Sequence, residues 1–413
     1  MTSVSETRRD IMSLNSTPSA DRVHISFFGR RNAGKSSIVN AVTGQKLAIV
    51  SDVLGTTTDP VLKAMELLPL GPVVIVDTPG IDDTGELGSL RVKRSYQMLN
   101  KTDVAVVVID SAVGKTDEDI MLIEKIKQKN IPYVIVYNKS DISGCGISSE
   151  NEISVSAENG TNINELKELI ARLAKPEENK KHIVSDMLEK DDLVVLVVPI
   201  DESAPKGRLI LPQQQTIRDI IDHHAYTVVT QDTELVSALN SLSKKPKMVI
   251  TDSQAFARVS RDTPDDIMLT SFSILFANYK GNLRLAVEGV TALNKLKEGD
   301  SILISEGCTH HRQCGDIGTV KLPRLIKKFT GLENIKFGWT SGTEFSEDLK
   351  KYSLIIHCGG CMLNEREMKY RLKCAEDEGV PITNYGTAIA YMNGILKRSL
   401  APFPEISKIL YDK

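Results

Sequence analysis

Gly29-Arg30-Arg31-Asn32-Ala33-Gly34-Lys35-Ser36 is the stretch that decides how this chain begins to fold. It reads G-x-x-x-x-G-K-S. Ahead of it Val23-His24-Ile25-Ser26-Phe27-Phe28 alternates as a strand does, and behind it Ile38, Val39 and Val42 recur at helical spacing. The motif carries chemistry only between a strand and a helix, where glycines let backbone amides close around phosphates at the helix N-terminus. The expected cradle is Gly29, Asn32, Ala33, Gly34, Lys35, Ser36 and Ser37, with Lys35 reaching the β and γ phosphates and the Ser36 hydroxyl binding magnesium. A chance glycine turn would lack both flanks.

Working outward, four further motifs follow in order. Gly55-Thr56-Thr57-Thr58-Asp59 resembles the switch-one motif of Era- and TrmE-like GTPases, in which Thr57 would close over magnesium and the γ phosphate. Val73-Val74-Ile75-Val76 reads as a buried strand running into Asp77-Thr78-Pro79-Gly80, where Asp77 would hold magnesium through water and the Gly80 amide would meet the γ phosphate. Asn138-Lys139-Ser140-Asp141 follows the strand Tyr133 to Tyr137. The Asp141 carboxylate can accept two hydrogen bonds from guanine N1 and N2, a pair adenine cannot offer, so the motif selects GTP over ATP. Ser156-Ala157 completes the set. Each is weak alone, but the order is that of a GTPase, with GTP or GDP and magnesium as its ligands.

Two positions depart from a Ras-like site. Ile81 stands where the water-orienting glutamine would be, so unaided hydrolysis is expected to be slow. Asn32 occupies the P-loop position at which TrmE-like GTPases bind potassium, whose charge can stand in for an arginine finger. The catalytic set expected is therefore Lys35, Asn32, Thr57 and Gly80. The plain alternative for Asn32 is an ordinary loop asparagine.

A chain of 413 residues is too long for one core, and 41% hydrophobic with 25% charged residues is the balance of a globular protein. Its 51 Lys plus Arg against 54 Asp plus Glu leave net charge -3, with no basic surplus for nucleic-acid phosphates. No apolar run approaches the ~18 residues of a membrane span, and residues 1–20 are polar, read as a disordered tail. The composition points to the cytoplasm. Of six cysteines, four lie between Cys308 and Cys361, which suits a metal or redox site in a reducing compartment better than a disulfide framework.

Residues 21–175 form the expected first domain, and the charged, proline-marked run within 176–192 a linker. Residues 193–269 alternate strand and helix without repeating the phosphate motifs: strand Leu193 to Pro199, helix Gln213 to His223, strand Tyr226 to Thr230, helix Glu234 to Leu242, strand Met248 to Thr251. By elimination this is a dimerisation or linking module. His223-His224 reads as a pair of partly exposed structural histidines near a helix end rather than as ligands. From 270 to 413 a second doubly wound domain is expected, with helices through Val290, from Arg366 to Glu378 and from Thr387 to Arg398. Cys308-Thr309-His310 follows the apolar run Ile302-Leu303-Ile304, and His357-Cys358-Gly359-Gly360-Cys361 follows Leu354-Ile355-Ile356. Both groups would sit at strand ends of one parallel sheet. Three thiolates without an obvious fourth suit an iron–sulfur cluster with one unusual ligand, or a Cys/His zinc site; His310 and His357 are the candidate fourth ligands. Cys145, Cys314 and Cys374 are assigned no ligand role.

A GTPase domain joined to Cys-x-His, a 46-residue spacer and His-Cys-x-x-Cys resembles the HydF family, the maturation GTPases of FeFe-hydrogenase. The resemblance runs from Asp21 to the C-terminus. It implies an α/β chain of three parts: a P-loop GTPase domain, a small α/β middle domain for dimerisation, and a C-terminal α/β iron–sulfur cluster domain. It further implies a 4Fe-4S cluster on Cys308, Cys358 and Cys361, and a homodimer. The implied role is a scaffold that receives a di-iron precursor from radical-SAM maturases and delivers it to apo FeFe-hydrogenase. The rival reading is an Era-like GTPase with a C-terminal zinc-binding partner module or RNA-interaction domain. For the latter, Gly315-Asp316-Ile317-Gly318 matches the G-x-x-G of a KH module only superficially, since it carries an acid and lacks a basic flank.

Overall fold

Runs of β-branched residues bounded by glycine, proline and asparagine build three separate sheets. The computed structural model describes residues 21–45, 60–82, 85–143, 149–174, 181–200, 209–307, 316–342, 345–346, 348–360 and 362–410. The tail 1–20, Thr57 with its motif, and Cys145, Cys308, His310, Cys314 and Cys361 lie outside these residues. The chain divides into two compact units, 1–176 and 177–413.

In the first unit β1 (Val23–Phe28), α1 (Lys35–Thr43), β2 (Val61–Leu67), β3 (Gly71–Asp77), α2 (Gly85–Met98) and β4 (Val104–Asp110) come first. They are followed by α3 (Asp117–Gln128), β5 (Tyr133–Asn138), β6 (Glu152–Ser154) and α4 (Ile163–Leu173). The sheet order is β2-β3-β1-β4-β5-β6, parallel except for the β2–β3 pair. Strands β1 and β4 are buried nearly throughout, as an α/β sheet covered on both faces requires. One cluster, including Ile25, Phe27, Ile38 and Leu166, covers one face, and another, including Phe28, Val107, Leu122 and Ile126, the other. The carboxyl ends of β1, β3 and β5 therefore open on one edge of the sheet, where such folds bind ligands.

The second unit holds two four-stranded parallel sheets. The first is built from β7 (Leu193–Val197), α5 (Leu211–Asp222), β8 (Tyr226–Thr230), α6 (Leu235–Ser241), β9 (Met248–Thr251), α7 (Phe256–Asp262) and β10 (Met268–Ser271), in the order β10-β9-β7-β8. Then come α8 (Phe272–Lys280), α9 (Leu283–Val290), β11 (Ser301–Ser305), α10 (Leu322–Thr330), β12 (Lys336–Thr340), β13 (Leu354–His357), α11 (Glu365–Asp377), β14 (Ile382–Asn384) and α12 (Tyr385–Met392). The order of this sheet is β12-β11-β13-β14. One buried cluster draws on both sheets, with Val195, Val249 and Leu269 from one and Ile302, Ile304 and Ile356 from the other.

Several bounds differ from the sequence expectation for local reasons. Position 270, the expected start of the third domain, falls inside β10, whose register with β9 runs through Ser271. The expected linker contains Ile183 and Val184, both buried in the core under the first of these sheets. The helix expected from Thr387 to Arg398 stops at Met392, because Gly394 turns left-handed at φ 72°. Asn384 and Asn364 start α12 and α11 by accepting the amides of Thr387 and Glu367 at 2.8 and 3.0 Å.

Candidate functional site

The loop from β1 to α1 is closed by one side chain. Gly34 caps α1 at φ 87°, and a Cβ there would lie 2.1 Å from Asn138 Nδ2. Only glycine lets Asn138 come this near, and it uses the approach to donate from Nδ2 to the Ala33 carbonyl at 3.1 Å. Its Oδ1 accepts the Ala157 amide at 3.2 Å. A single buried asparagine thus holds three of the sequence motifs together. Ser156 Oγ donates to Asp141 Oδ1 at 2.5 Å, and Lys139, at φ 65°, donates to Asp110 at 2.6 Å. Burial raises the Asp110 carboxyl, but the Lys139 ammonium and the Ala112 amide outweigh it and hold the group below its ordinary range.

On the phosphate side Lys35 is buried and donates to the carbonyls of Gly29 and Arg30 at 2.9 and 2.7 Å. Ser36 Oγ donates to Asp77 Oδ2 at 2.8 Å. The other carboxylate oxygen, Asp77 Oδ1, is buried without a hydrogen-bond partner among the described residues. Burial raises the Asp77 carboxyl despite the Ser36 hydroxyl and the Lys35 charge. An orphaned carboxylate oxygen beside a serine hydroxyl fits a magnesium ion, which would meet the charge that burial leaves exposed to low dielectric. Asn32 is exposed at φ 61°, and Ser37 lies on the first turn of α1. Ile81 is buried with Phe28 and Val76, so this position cannot orient water.

Asp82 is a participant that no motif marks. Its Oδ1 accepts the Arg31 amide at 2.7 Å, and its Oδ2 lies 3.4 Å from Arg30 Nε. A phosphate approaching the Arg31 amide competes with this carboxylate.

In the second unit β11 and β13 are parallel neighbours, in register from Ile302↔Leu354 to Ser305↔His357. Cys358 continues β13, its amide donating to Ser305 at 2.8 Å, and its Sγ accepts the amides of Gly307 and Gly360 at 3.0 and 3.4 Å. A Cβ on Gly307 would lie 2.6 Å from Leu363 Cγ. The residue before Cys308 therefore packs on the residue two after Cys361, which brings the flanks of all three thiol positions together. Glu306 is buried and accepts from Tyr385 Oη at 3.1 Å. Burial first, then Glu306 and Cys358, push the Tyr385 hydroxyl far upward, so it stays a donor.

His357 points into the protein. Nε2 lies 3.1 Å from Arg371 Nη1, which can only donate, and Nδ1 lies 2.7 Å from the Cys358 carbonyl. Burial and then the Arg371 charge push its pKa down to about 3, so the ring is neutral with Nδ1 protonated. Both nitrogens are engaged within the chain. Cys374 packs half-buried against the core beside Leu303 and Ile355. The Gly318 carbonyl accepts the Trp339 indole at 3.4 Å and Asp316 caps its own turn through Thr319, an arrangement unlike a loop offered to a phosphate backbone.

A six-stranded α/β unit with this loop set is a P-loop GTPase for GTP or GDP with magnesium, joined to two further α/β sheets. Family models match in three places. Residues 24–139 match the 50S ribosome-binding GTPase, 183–281 the hydrogen maturase F dimerization domain, and 284–402 the hydrogen maturase F tetramerization domain. The chain belongs to the hydrogen maturase F (HydF) family, the hydrogenase-maturation GTPases. Curated relatives include the tRNA modification GTPase MnmE of Aquifex aeolicus, 37% identical over 158 residues, and of Laribacter hongkongensis, 31% over 154 residues. In both, the match covers 36% of this chain and 34% of the relative. A solved structure of Era with MgGDPNP and a segment of 16S ribosomal RNA aligns at 20% identity and TM-score 0.35, over 51% of this chain and 94% of its own. The two hydrogen maturase F matches support an oligomer, and the tetramerization match falls on the stretch read from sequence as the cluster domain. No described helix is long and apolar enough to cross a membrane.

Proposed function

We propose that this chain is a GTP-hydrolysing scaffold that holds a 4Fe-4S cluster on Cys308, Cys358 and Cys361 and carries a di-iron precursor, its cargo, to apo FeFe-hydrogenase. Radical-SAM maturases would supply the cargo. The observation that supports this most is the meeting of Gly307, Cys358 and Leu363 at the carboxyl ends of two neighbouring parallel strands. Two backbone amides aimed at Cys358 Sγ favour the thiolate, the form that binds iron. When bound, the cluster supplies an iron–sulfur centre with one coordination position that no thiolate takes. Of the two histidines, His310 is the candidate for that position, whereas His357 would hold the loop through Cys358 and Arg371. Anaerobically reconstituted protein should be brown, with iron and sulfide on each chain and a paramagnetic signal on reduction. Colourless protein carrying zinc and no iron would overturn the reading in favour of a zinc module.

Guanine selection would rest on Asp141. Asp141→Asn should weaken GTP binding by about 1.5 to 3 kcal/mol, roughly tenfold to more than a hundredfold, and favour xanthosine triphosphate. The substitution retains an Oδ1 to accept from Ser156, so the motif keeps its internal bond. Calorimetry with both nucleotides checks this, and unchanged GTP affinity would count against the assignment.

Potassium on Asn32 would supply the charge that Ile81 cannot help to place. Turnover should be at least about tenfold faster in potassium chloride than in sodium chloride at equal ionic strength. Asn32→Ala should abolish the difference, and equal rates in the two salts would exclude a potassium role.

A further inference from the structure

His182, Asp219 and His223 come from two separated stretches of the second unit, and their ligand atoms all lie within 4.8 Å of one another. Asp219 and His223 are one helical turn apart at the end of α5, so both face the same side. His182 arrives from the segment that enters the unit. Reading His223-His224 as an adjacent pair missed this, because His224 lies exposed beyond the helix end, at φ 58°, and the neighbours of His223 in the cluster are four and forty-one positions upstream.

We infer that these three residues form a binding site for a divalent transition-metal ion of the Zn2+ class, which neither the GTPase nor the thiol site requires. The carboxylate is set in place beforehand. Asp219 Oδ2 accepts the amides of Val184 and Ser185 at 2.8 and 2.9 Å, and Oδ1 accepts Ser185 Oγ at 2.9 Å. His182 Nδ1 stands 3.4 Å from Asp219 Oδ1. That is long for a charge-assisted hydrogen bond, which runs to about 2.7–2.9 Å. It is close to the ~3.3 Å edge between two ligands each about 2.0–2.1 Å from one tetrahedral ion.

The outer contacts are those of ligating histidines. His223 Nδ1 lies 3.0 Å from the Asp219 carbonyl, which fixes the tautomer and leaves Nε2 with its lone pair. With His182 ligating through Nδ1, its Nε2–H has the exposed Asp186 carboxylate 3.9 Å away, beyond hydrogen-bond distance but within an ion pair's reach. The two imidazoles stand edge to face, 4.5 Å between ring centroids. All three residues are half-buried, and His182, with Asp186, borders a cavity of about 680 Å³ that opens to solvent. Three protein ligands leave the fourth position to water. Bound metal would staple the segment carrying Ile183 and Val184 to α5, whose Ile220 shares their core.

Full-length protein, reconstituted with iron and sulfide, is titrated with Co2+ as a visible probe. A site of two imidazoles and one carboxylate gives weak ligand-field bands without sulfur-to-cobalt charge transfer, which separates it from any thiol site whether or not the cluster reading holds. Wild type should bind one such Co2+ per chain, displaced by Zn2+, and Zn2+ should raise its melting temperature. His223→Ala and His182→Ala should weaken this binding more than about a hundredfold, beyond the usual effect of losing an outer-sphere partner. His223→Gln, which retains polarity at the helix end, should behave like the alanine variant while keeping the wild-type circular dichroism. Asp186→Ala, removing only the outer partner, should cost less. Equal Co2+ binding by wild type and the His182→Ala/His223→Ala double variant, or a cobalt spectrum showing thiolate charge transfer alone, would overturn the proposal.

Discussion

Arg371→Ala is expected to destabilise the last sheet by about 3–5 kcal/mol, the cost of breaking a buried charge pair from one side. Arg371 is fully buried on α11 and satisfies every partner around it. Nε and Nη2 donate to Glu367 Oε1 at 3.0 and 2.9 Å, Nη1 to Ser305 Oγ and His357 Nε2 at 3.3 and 3.1 Å, and Nη2 to the Gly342 carbonyl at 2.5 Å. Removing the guanidinium leaves Glu367, only 3% exposed, as an unpaired charge. Arg371→Met with Glu367→Leu should recover the ion-pair part, since a well-packed apolar pair can replace a buried ionic one. It should remain about 1–3 kcal/mol below wild type, because the Gly342 carbonyl and His357 Nε2 still lack a donor. Trp339, the chain's single tryptophan, lies on β12 of this sheet and reports its unfolding separately from the GTPase unit. A single substitution costing less than about 1 kcal/mol by Trp339 fluorescence in denaturant would refute the account.

Arg371 also shows where sequence reading stops. Glu367 and Arg371 stand four apart on a helix that was legible from its periodicity, and such pairs are ordinary on an exposed face. Nothing local announces that this face is turned inward between β11, β13 and the loop at Gly342. The same limit explains the metal site at His182, whose ligands are separated along the chain, and Asp82, whose partner is a backbone amide. The phosphate motifs were legible because the P-loop is a local strand–loop–helix unit whose chemistry fits in eight residues. The strands that precede the cysteine groups, β11 and β13, were legible because each is a short apolar run, and they pair in parallel as expected. Strand β12 was missed, since Lys336-Phe337-Gly338-Trp339-Thr340 carries a glycine in its middle, which weakens a strand signal. The boundary at 270 failed to coincide with a loop because β10 is a four-residue strand, too short to stand out beside the helix that follows it.

Serine in place of Cys308, Cys358 or Cys361 should remove the cluster and hydrogenase activation together, and at Cys358 the structure makes the outcome easy to interpret. Cys358 Sγ accepts two backbone amides, from Gly307 and Gly360, and a serine Oγ can accept the same pair. Loop and strand ends should therefore survive the substitution, while the ligand does not: a hydroxyl ionises far less readily than a thiol and is the poorer ligand for iron. Iron content should fall to near zero in each variant. GTP turnover should stay within about twofold of wild type, because the nucleotide motifs and the thiols belong to different compact units. His310→Ala should retain a cluster with an altered spectrum if it fills the fourth position, whereas His357→Ala should act through the loop, lowering cluster stability together with that of the sheet, since Arg371 would lose one of its acceptors. Full iron content and full activation of apo-hydrogenase by all three serine variants would remove both the ligand assignment and the scaffold role. Loss of iron with activation intact would remove only the scaffold role of the cluster, and would move the cargo site elsewhere on the chain.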